Sequence, residues 1–93
     1  METKIPQTKQ EAFAQLDEML SEKDQSELVK SDPIEYHFSL GMWIRNNWIY
    51  GQEEEDVKRL AKAFRTEMLI FDADGLSEKI IEYYQRYLKR KRV

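Results

Sequence analysis

The sequence predicts an all-α protein: a single compact domain of four or five helices packed around a central apolar helix at about residues 33–49. Three observations lead there. Apolar residues recur at spacings of three and four along most of the chain, the period of an amphipathic helix. No stretch alternates apolar and polar residues for long enough to demand a strand. Helix-start chemistry punctuates the chain at Thr8, Ser21, Asp32 and Asp74. The 93 residues supply one hydrophobic core and leave no room for a second, so residues 1–93 read as one domain.

Residues 1–7 contain Pro6 and little periodicity and are expected to form an extended lead-in. A first helix begins at Thr8-x-x-Glu11. In this capping-box spacing the threonine hydroxyl accepts from the third helical amide, and the glutamate reaches back to the cap residue's own amide. Its apolar stripe is Ala12, Phe13, Leu16, Met19 and Leu20, with Lys9, Gln10, Asp17 and Glu18 outside it. Ser21 and Asp24 start a short second helix that runs to about Lys30 and has Leu28 and Val29 to bury.

Ser31-Asp32-Pro33 marks a third start, because Asp or Ser can cap while Pro at the first helical position has its φ preset. The spacing predicts a helix from Pro33 to about Ile49. Ile34, His37, Leu40, Gly41, Ile44 and Trp48 share one broad face, extended by Phe38, Met42 and Ile49. Tyr36, Trp43 and Tyr50 follow one another at seven-residue intervals on the other side, among Ser39, Asn46 and Asn47. A segment apolar nearly all round is the one that others wrap. At about 100° per residue Trp43 and Trp48 lie about 140° apart, so one wall does not bury both. Trp48 joins the core. Trp43 forms either a second packing seam with the terminal helix or an exposed recognition strip. Gly41 in a helix interior costs about 1 kcal/mol relative to Ala, which points to a close neighbour.

Gly51 and the acidic run Glu53 to Asp56 precede a fourth helix, with carboxylates where a helix N-terminus favours them. Its buried stripe is Val57, Leu60, Ala61 and Phe64, and its solvent side is Lys58, Arg59, Lys62 and Arg65. Met68 to Phe71 ends that helix or links onward, and Asp72-Ala73-Asp74-Gly75 is turn chemistry. Asp74 or Ser77 caps a last helix that runs to about Lys89. It buries Leu76, Ile80, Ile81, Tyr83, Tyr84, Tyr87 and Leu88, and residues 90–93 are a frayed basic tail.

Composition removes several classes of function. No apolar run approaches the roughly 20 residues that cross a bilayer, and no signal-peptide pattern follows Lys4, so a cytoplasmic protein without membrane association is expected. The absence of cysteine excludes disulfides, thiolate metal sites and thiol nucleophiles. The net charge of −3 conceals an asymmetry: residues 1–56 carry −8 and residues 57–93 carry +5.

Candidate chemistry is sparse. His37, the only histidine, falls on the apolar face without a paired nucleophile and reads as a histidine satisfied in or beside the core. Asp72-x-Asp74-Gly75 resembles part of a calcium loop, but its twelfth position is Tyr83 rather than Glu, and the glycines at 41, 51 and 75 form no phosphate loop. No catalytic residue, metal site or cofactor is expected. Arg86, Lys89, Arg90 and Arg92 are candidate phosphate contacts, although a sequence pI near 5.2 argues against nucleic acid as the main partner. A solvated helix end is the plainer account of these cations.

The most distinctive string is His37-Phe38-Ser39-Leu40-Gly41-Met42-Trp43-Ile44-Arg45-Asn46-Asn47-Trp48. It resembles the signature of a small bacterial domain family of unknown function, L-G-x-W-I-R-N-x-W, followed by a D-x-x-S-x-x-I stretch that opens a last helix. The second part stands here as Asp74-Gly75-Leu76-Ser77-Glu78-Lys79-Ile80, and Pro6, Glu11-Ala12-Phe13 and Leu16 match the family's start. Between the two motifs, Ile49-Tyr50 and the acidic run stand in place of a Gly-Leu-Trp type continuation. The resemblance implies no activity; it supports the helical fold and singles out Arg45, Asn46 and Asn47.

A non-catalytic protein-interaction domain is therefore expected, with an immunity or regulatory protein that binds another bacterial protein as one form of it. Tyr36, Trp43, Arg45, Asn46, Asn47 and Tyr50 are the candidate contact residues, because aromatics with Arg and Asn are what binding hot spots use. The alternatives are nucleic-acid binding through the basic last helix and a small carboxylate-dependent hydrolase. The partner is open, and so is the oligomeric state, since a homodimer would cover Trp43 as well as the chain's own last helix does.

Overall fold

The computed structural model describes residues 5–30, 39–65 and 73–91. They form five helices and, among the described residues, no strand: α1 (Lys9–Met19), α2 (Glu22–Lys30), α3 (Leu40–Ile44), α4 (Glu54–Ala63) and α5 (Ala73–Lys91). α3 runs directly into a π-helical turn, Arg45–Ile49. Tyr36, His37 and the rest of 31–38 lie outside the described residues, as do Met68 to Phe71 and Arg92.

The starts of α1 and α2 follow the local chemistry, with one adjustment. Thr8 Oγ1 accepts from the Glu11 amide at 3.1 Å, but the Glu11 carboxylate accepts from the Gln7 amide at 2.6 Å rather than from that of Thr8. The reciprocal arm of the capping box thus extends one residue further back, holding the lead-in where Pro6 is buried and Ile5 packs on the core. Ser21 Oγ accepts from the Asp24 amide at 3.1 Å and caps α2 as its sequence predicts.

The core gathers Ala12 and Leu16 of α1, Leu28 of α2, Leu40 and Ile44 of α3, Trp48 and Ile49 of the π turn, and Val57, Leu60 and Ala61 of α4 against α5. At about 1.5 Å per residue α5 is about 28 Å long. Its Leu76, Ile80, Ile81, Tyr84 and Leu88 are buried, and it packs against α2, α3 and the π turn. The described part of the expected central helix is in the core too, so α5 and the 40–49 segment share the role of the element around which the rest folds.

The expectations for Met19, Met42, the cap of α5 and the basic tail need correction. Met19 and Met42 are 38% and 49% exposed rather than core-facing. Met42 lies two residues from both Leu40 and Ile44, and such a step of about 200° points it away from α5. Neither Asp74 nor Ser77 caps α5: both lie inside the helix, and the buried Ser77 hydroxyl donates to the Asp74 carbonyl at 2.9 Å. The basic tail is helical through Lys91, whose Nζ reaches the Asp17 carboxylate at 3.3 Å.

Two buried glutamines serve helix C-termini, where the last carbonyls have no intrahelical donor. Gln25 Nε2 donates to the Leu20 carbonyl at 3.1 Å, and Gln85 Nε2 donates to the Leu28 carbonyl at 2.8 Å. α5 is thereby tied to the end of α2 by a hydrogen bond as well as by packing.

Candidate functional site

The π turn organises the distinctive string. Its closing bond runs from the Tyr50 amide to the Arg45 carbonyl, five residues back, at 2.7 Å. An i→i+5 turn is wider than an α turn and brings residues five apart nearly into register. Trp43 and Trp48 therefore meet edge to face with ring centroids 5.4 Å apart, in place of the 140° separation of an α-helical wheel (about 100° per residue). Trp48 is fully buried and Trp43 is half-buried against the core, so one wall accommodates both. Asn47 Nδ2 donates to the Trp43 carbonyl at 2.8 Å, a side chain inserted into the helical ladder where its register changes.

Arg45 turns inward. It is 7% exposed; its Nη1 donates to Ser77 Oγ at 2.9 Å and its Nε lies 3.4 Å from Asp74 Oδ1. The guanidinium thus joins the Leu40–Trp48 string to the Asp74–Ile80 string, 32 residues away, at the first turn of α5. A planar cation with several fixed donors suits this position, since it serves a hydroxyl and a carboxylate together. Of the candidate contact residues, Asn46 and Tyr50 face outward, Trp43 and Asn47 are half-buried, and Arg45 is internal. Met42, which the sequence pattern assigned to the core, stands on the outer face with Asn46 and Tyr50 at four-residue steps.

The model of a family described as Domain of unknown function (DUF6794) matches residues 5–88. The chain belongs to this family. No curated protein and no solved structure matches it. In this DUF6794 domain, both strings that carry the resemblance lie within the matched residues and meet at Arg45 and Ser77.

A second cluster lies where α1 meets the end of α5. The Asp17 carboxylate accepts from the Tyr84 hydroxyl at 2.7 Å and from the Tyr87 hydroxyl at 2.8 Å, besides pairing with Lys91. Burial alone raises the Asp17 pKa, but the hydrogen bonds from Tyr84, Tyr87 and Lys91 outweigh it and hold the carboxyl below the ordinary aspartate range. The bond to Asp17 pushes the Tyr87 hydroxyl up and likewise raises Lys91. A carboxylate so engaged is a clamp between helices rather than a proton acceptor poised near neutrality. Among the described residues no group of three His, Asp or Glu side chains converges as a cation cage. No helix among them is long and apolar enough to cross a membrane.

The basic end of α5 divides. Arg86 and Arg90 line a groove of about 390 Å³ together with Lys9, Gln10 and Phe13 of α1, Arg65, Tyr83 and Tyr87. Lys89 is exposed and does not line it. Lys9 and Arg65 were not legible as its partners, because they lie on other parts of the chain, at the start of α1 and just after α4, and only tertiary packing brings them there.

Proposed function

We propose that this domain is a non-catalytic protein-interaction module that contacts its partner through Met42, Asn46 and Tyr50. One observation carries the reading. Met42 and Tyr50, 49% and 46% exposed, stand on the same short segment whose other wall, Ile44, Trp48 and Ile49, is buried. A rigid backbone therefore presents a methionine and an aromatic ring at low entropic cost, the condition under which few residues supply most of a binding energy. Trp43 and Asn47 support the strip from beneath, and Arg45 anchors it to α5. The exposed carboxylates of Glu53, Glu54 and Glu55 follow at the start of α4 and favour a partner with a basic surface. A cytoplasmic immunity or regulatory role toward another bacterial protein is one form of such a function.

The test compares two folded double variants. Met42→Ser/Tyr50→Ser alters the strip and Arg86→Gln/Arg90→Gln alters the opposite charge pattern on α5. A partner captured from the source cell and then purified is expected to bind the second variant like wild type and to lose affinity for the first. Equal retention by both variants rejects the strip.

A further inference from the structure

The groove between α1 and α5 is built differently from an incidental surface furrow. Tyr83, Arg86, Tyr87 and Arg90, which share one face of α5 at helical spacing, line it together with Lys9, Gln10 and Phe13 of α1 and Arg65. Four cations thus converge on about 390 Å³, and no carboxylate is among the lining residues. That volume lies within the range of small-ligand sites, about 300–1,000 Å³.

The rings order the cations. Lys9 Nζ lies 5.2 Å from the centre of the Tyr83 ring and Arg86 Cζ lies 5.5 Å from it. Phe13 stacks on Tyr87 with centroids 4.6 Å apart, and Lys91 Nζ stands 5.6 Å from the Tyr87 ring. Tyr87 is fixed again through its hydroxyl on Asp17. With Tyr83 and Tyr87 engaged in this way, the groove offers a ligand positive charge and hydrogen-bond donors rather than stacking platforms.

Arg65 supplies an independent indication. It follows α4 with φ 55, the left-handed conformation that a helix end usually assigns to glycine. Arg65 in that conformation lines the groove and adds a cation to it, where glycine would add none.

We infer that this groove binds a ligand carrying clustered phosphoryl groups. Four cations in one small site require several negative charges close together. Adjacent phosphoryl groups supply that density, whereas same-face carboxylates of an extended peptide lie about 7 Å apart. Guanidinium forks match phosphoryl oxygens in geometry as well as charge. The phosphoryl groups belong either to a small oligophosphate or to the backbone of a single-stranded nucleic acid, and the two sources share this chemistry.

Calorimetric titration of the full chain at low ionic strength with tripolyphosphate, a thymidine oligonucleotide and a polyglutamate peptide tests the inference. Tripolyphosphate is expected to bind, and Arg86→Gln/Arg90→Gln to weaken it by about tenfold or more, while Lys89→Gln, outside the groove, changes it less than about twofold. Amide chemical shifts should move at Lys9, Phe13, Tyr83 and Arg86 on titration. Affinity that rises with oligonucleotide length and falls steeply with salt identifies the nucleic-acid backbone as the source, and affinity equal to that of tripolyphosphate identifies a small oligophosphate. No binding of tripolyphosphate, equal losses in the groove and Lys89 variants, or polyglutamate bound as tightly as tripolyphosphate overturns it. The strip variant Met42→Ser/Tyr50→Ser should bind tripolyphosphate like wild type, which separates failure of this inference from failure of the protein-interaction reading.

Discussion

Trp43 and Trp48, five residues apart in sequence, pack edge to face at 5.4 Å because the helix between them widens by one residue per turn. That contact turns two indoles with opposite wheel positions into one wall of the core and leaves Met42, Asn46 and Tyr50 outside.

Trp48→Ala is expected to cost about 3–5 kcal/mol, a large fraction of the stability of a domain this small, and to leave the chain largely unfolded at room temperature. Asn47→Ala removes only the amide bond to the Trp43 carbonyl and should cost about 0.5–1.5 kcal/mol. Urea unfolding followed by tryptophan fluorescence measures both. A neutral Asn47→Ala would show that the wide turn holds without its side-chain bond.

Ser77→Ala deprives the buried Arg45 guanidinium of a partner at 2.9 Å and should destabilise by about 1–2 kcal/mol. Asp74→Asn should cost less, because that carboxylate is 66% exposed and its ion pair is solvent-screened. Arg45→Lys should cost more than Ser77→Ala, since an ammonium does not reach both partners with fixed geometry. Thermal melts of the three variants give the order.

Asp17→Ala removes the acceptor shared by Tyr84 and Tyr87 and is expected to cost about 1.5–3 kcal/mol. The pH dependence has a definite sign. The folded state lowers the Asp17 pKa, so its contribution is present above the ordinary aspartate value, roughly pH 4, and is lost as pH falls through the folded value. The folded state raises the Tyr87 pKa, so that contribution is present below roughly pH 10 and is lost as pH rises through the folded value. Urea midpoints across pH should fall at both ends for wild type and fall less steeply for Asp17→Ala.

Arg65→Gly relieves a left-handed backbone and should stabilise the domain by about 0.5–1 kcal/mol, while weakening tripolyphosphate binding. A stabilised variant with unchanged binding would show that Arg65 is not part of the anion site.

Much of the architecture was legible because it is local. Thr8 and Ser21 cap helices through bonds that span three residues, and the stripes bury Ala12 and Leu16, Val57, Leu60 and Ala61, and Leu76, Ile80, Ile81, Tyr84 and Leu88 as predicted, whereas Phe13, Leu20, Tyr83 and Tyr87 are only half-buried and Met19 is exposed. Met42 and Ser77 were misread for opposite reasons: one is apolar but faces away from α5, and the other is polar but is buried by a partner on another helix. The candidate strip was half legible, since its aromatics and Asn46 stand out in sequence while the inward turn of Arg45 does not.

The sequence by itself determined the helical class, the starts of α1 and α2 and most of the stripes that α1, α4 and α5 turn to the core, because these depend on residues three or four positions apart. Tertiary structure alone decided that Arg45 meets Ser77, that Asp17 clamps Tyr84 and Tyr87 from 67 and 70 residues away, and that Lys9 and Arg65 join Arg86 and Arg90. A wheel drawn at one fixed period does not register a turn that changes period, and helical periodicity does not state which helices cross. Those outcomes are set by how the buried faces fit together in three dimensions.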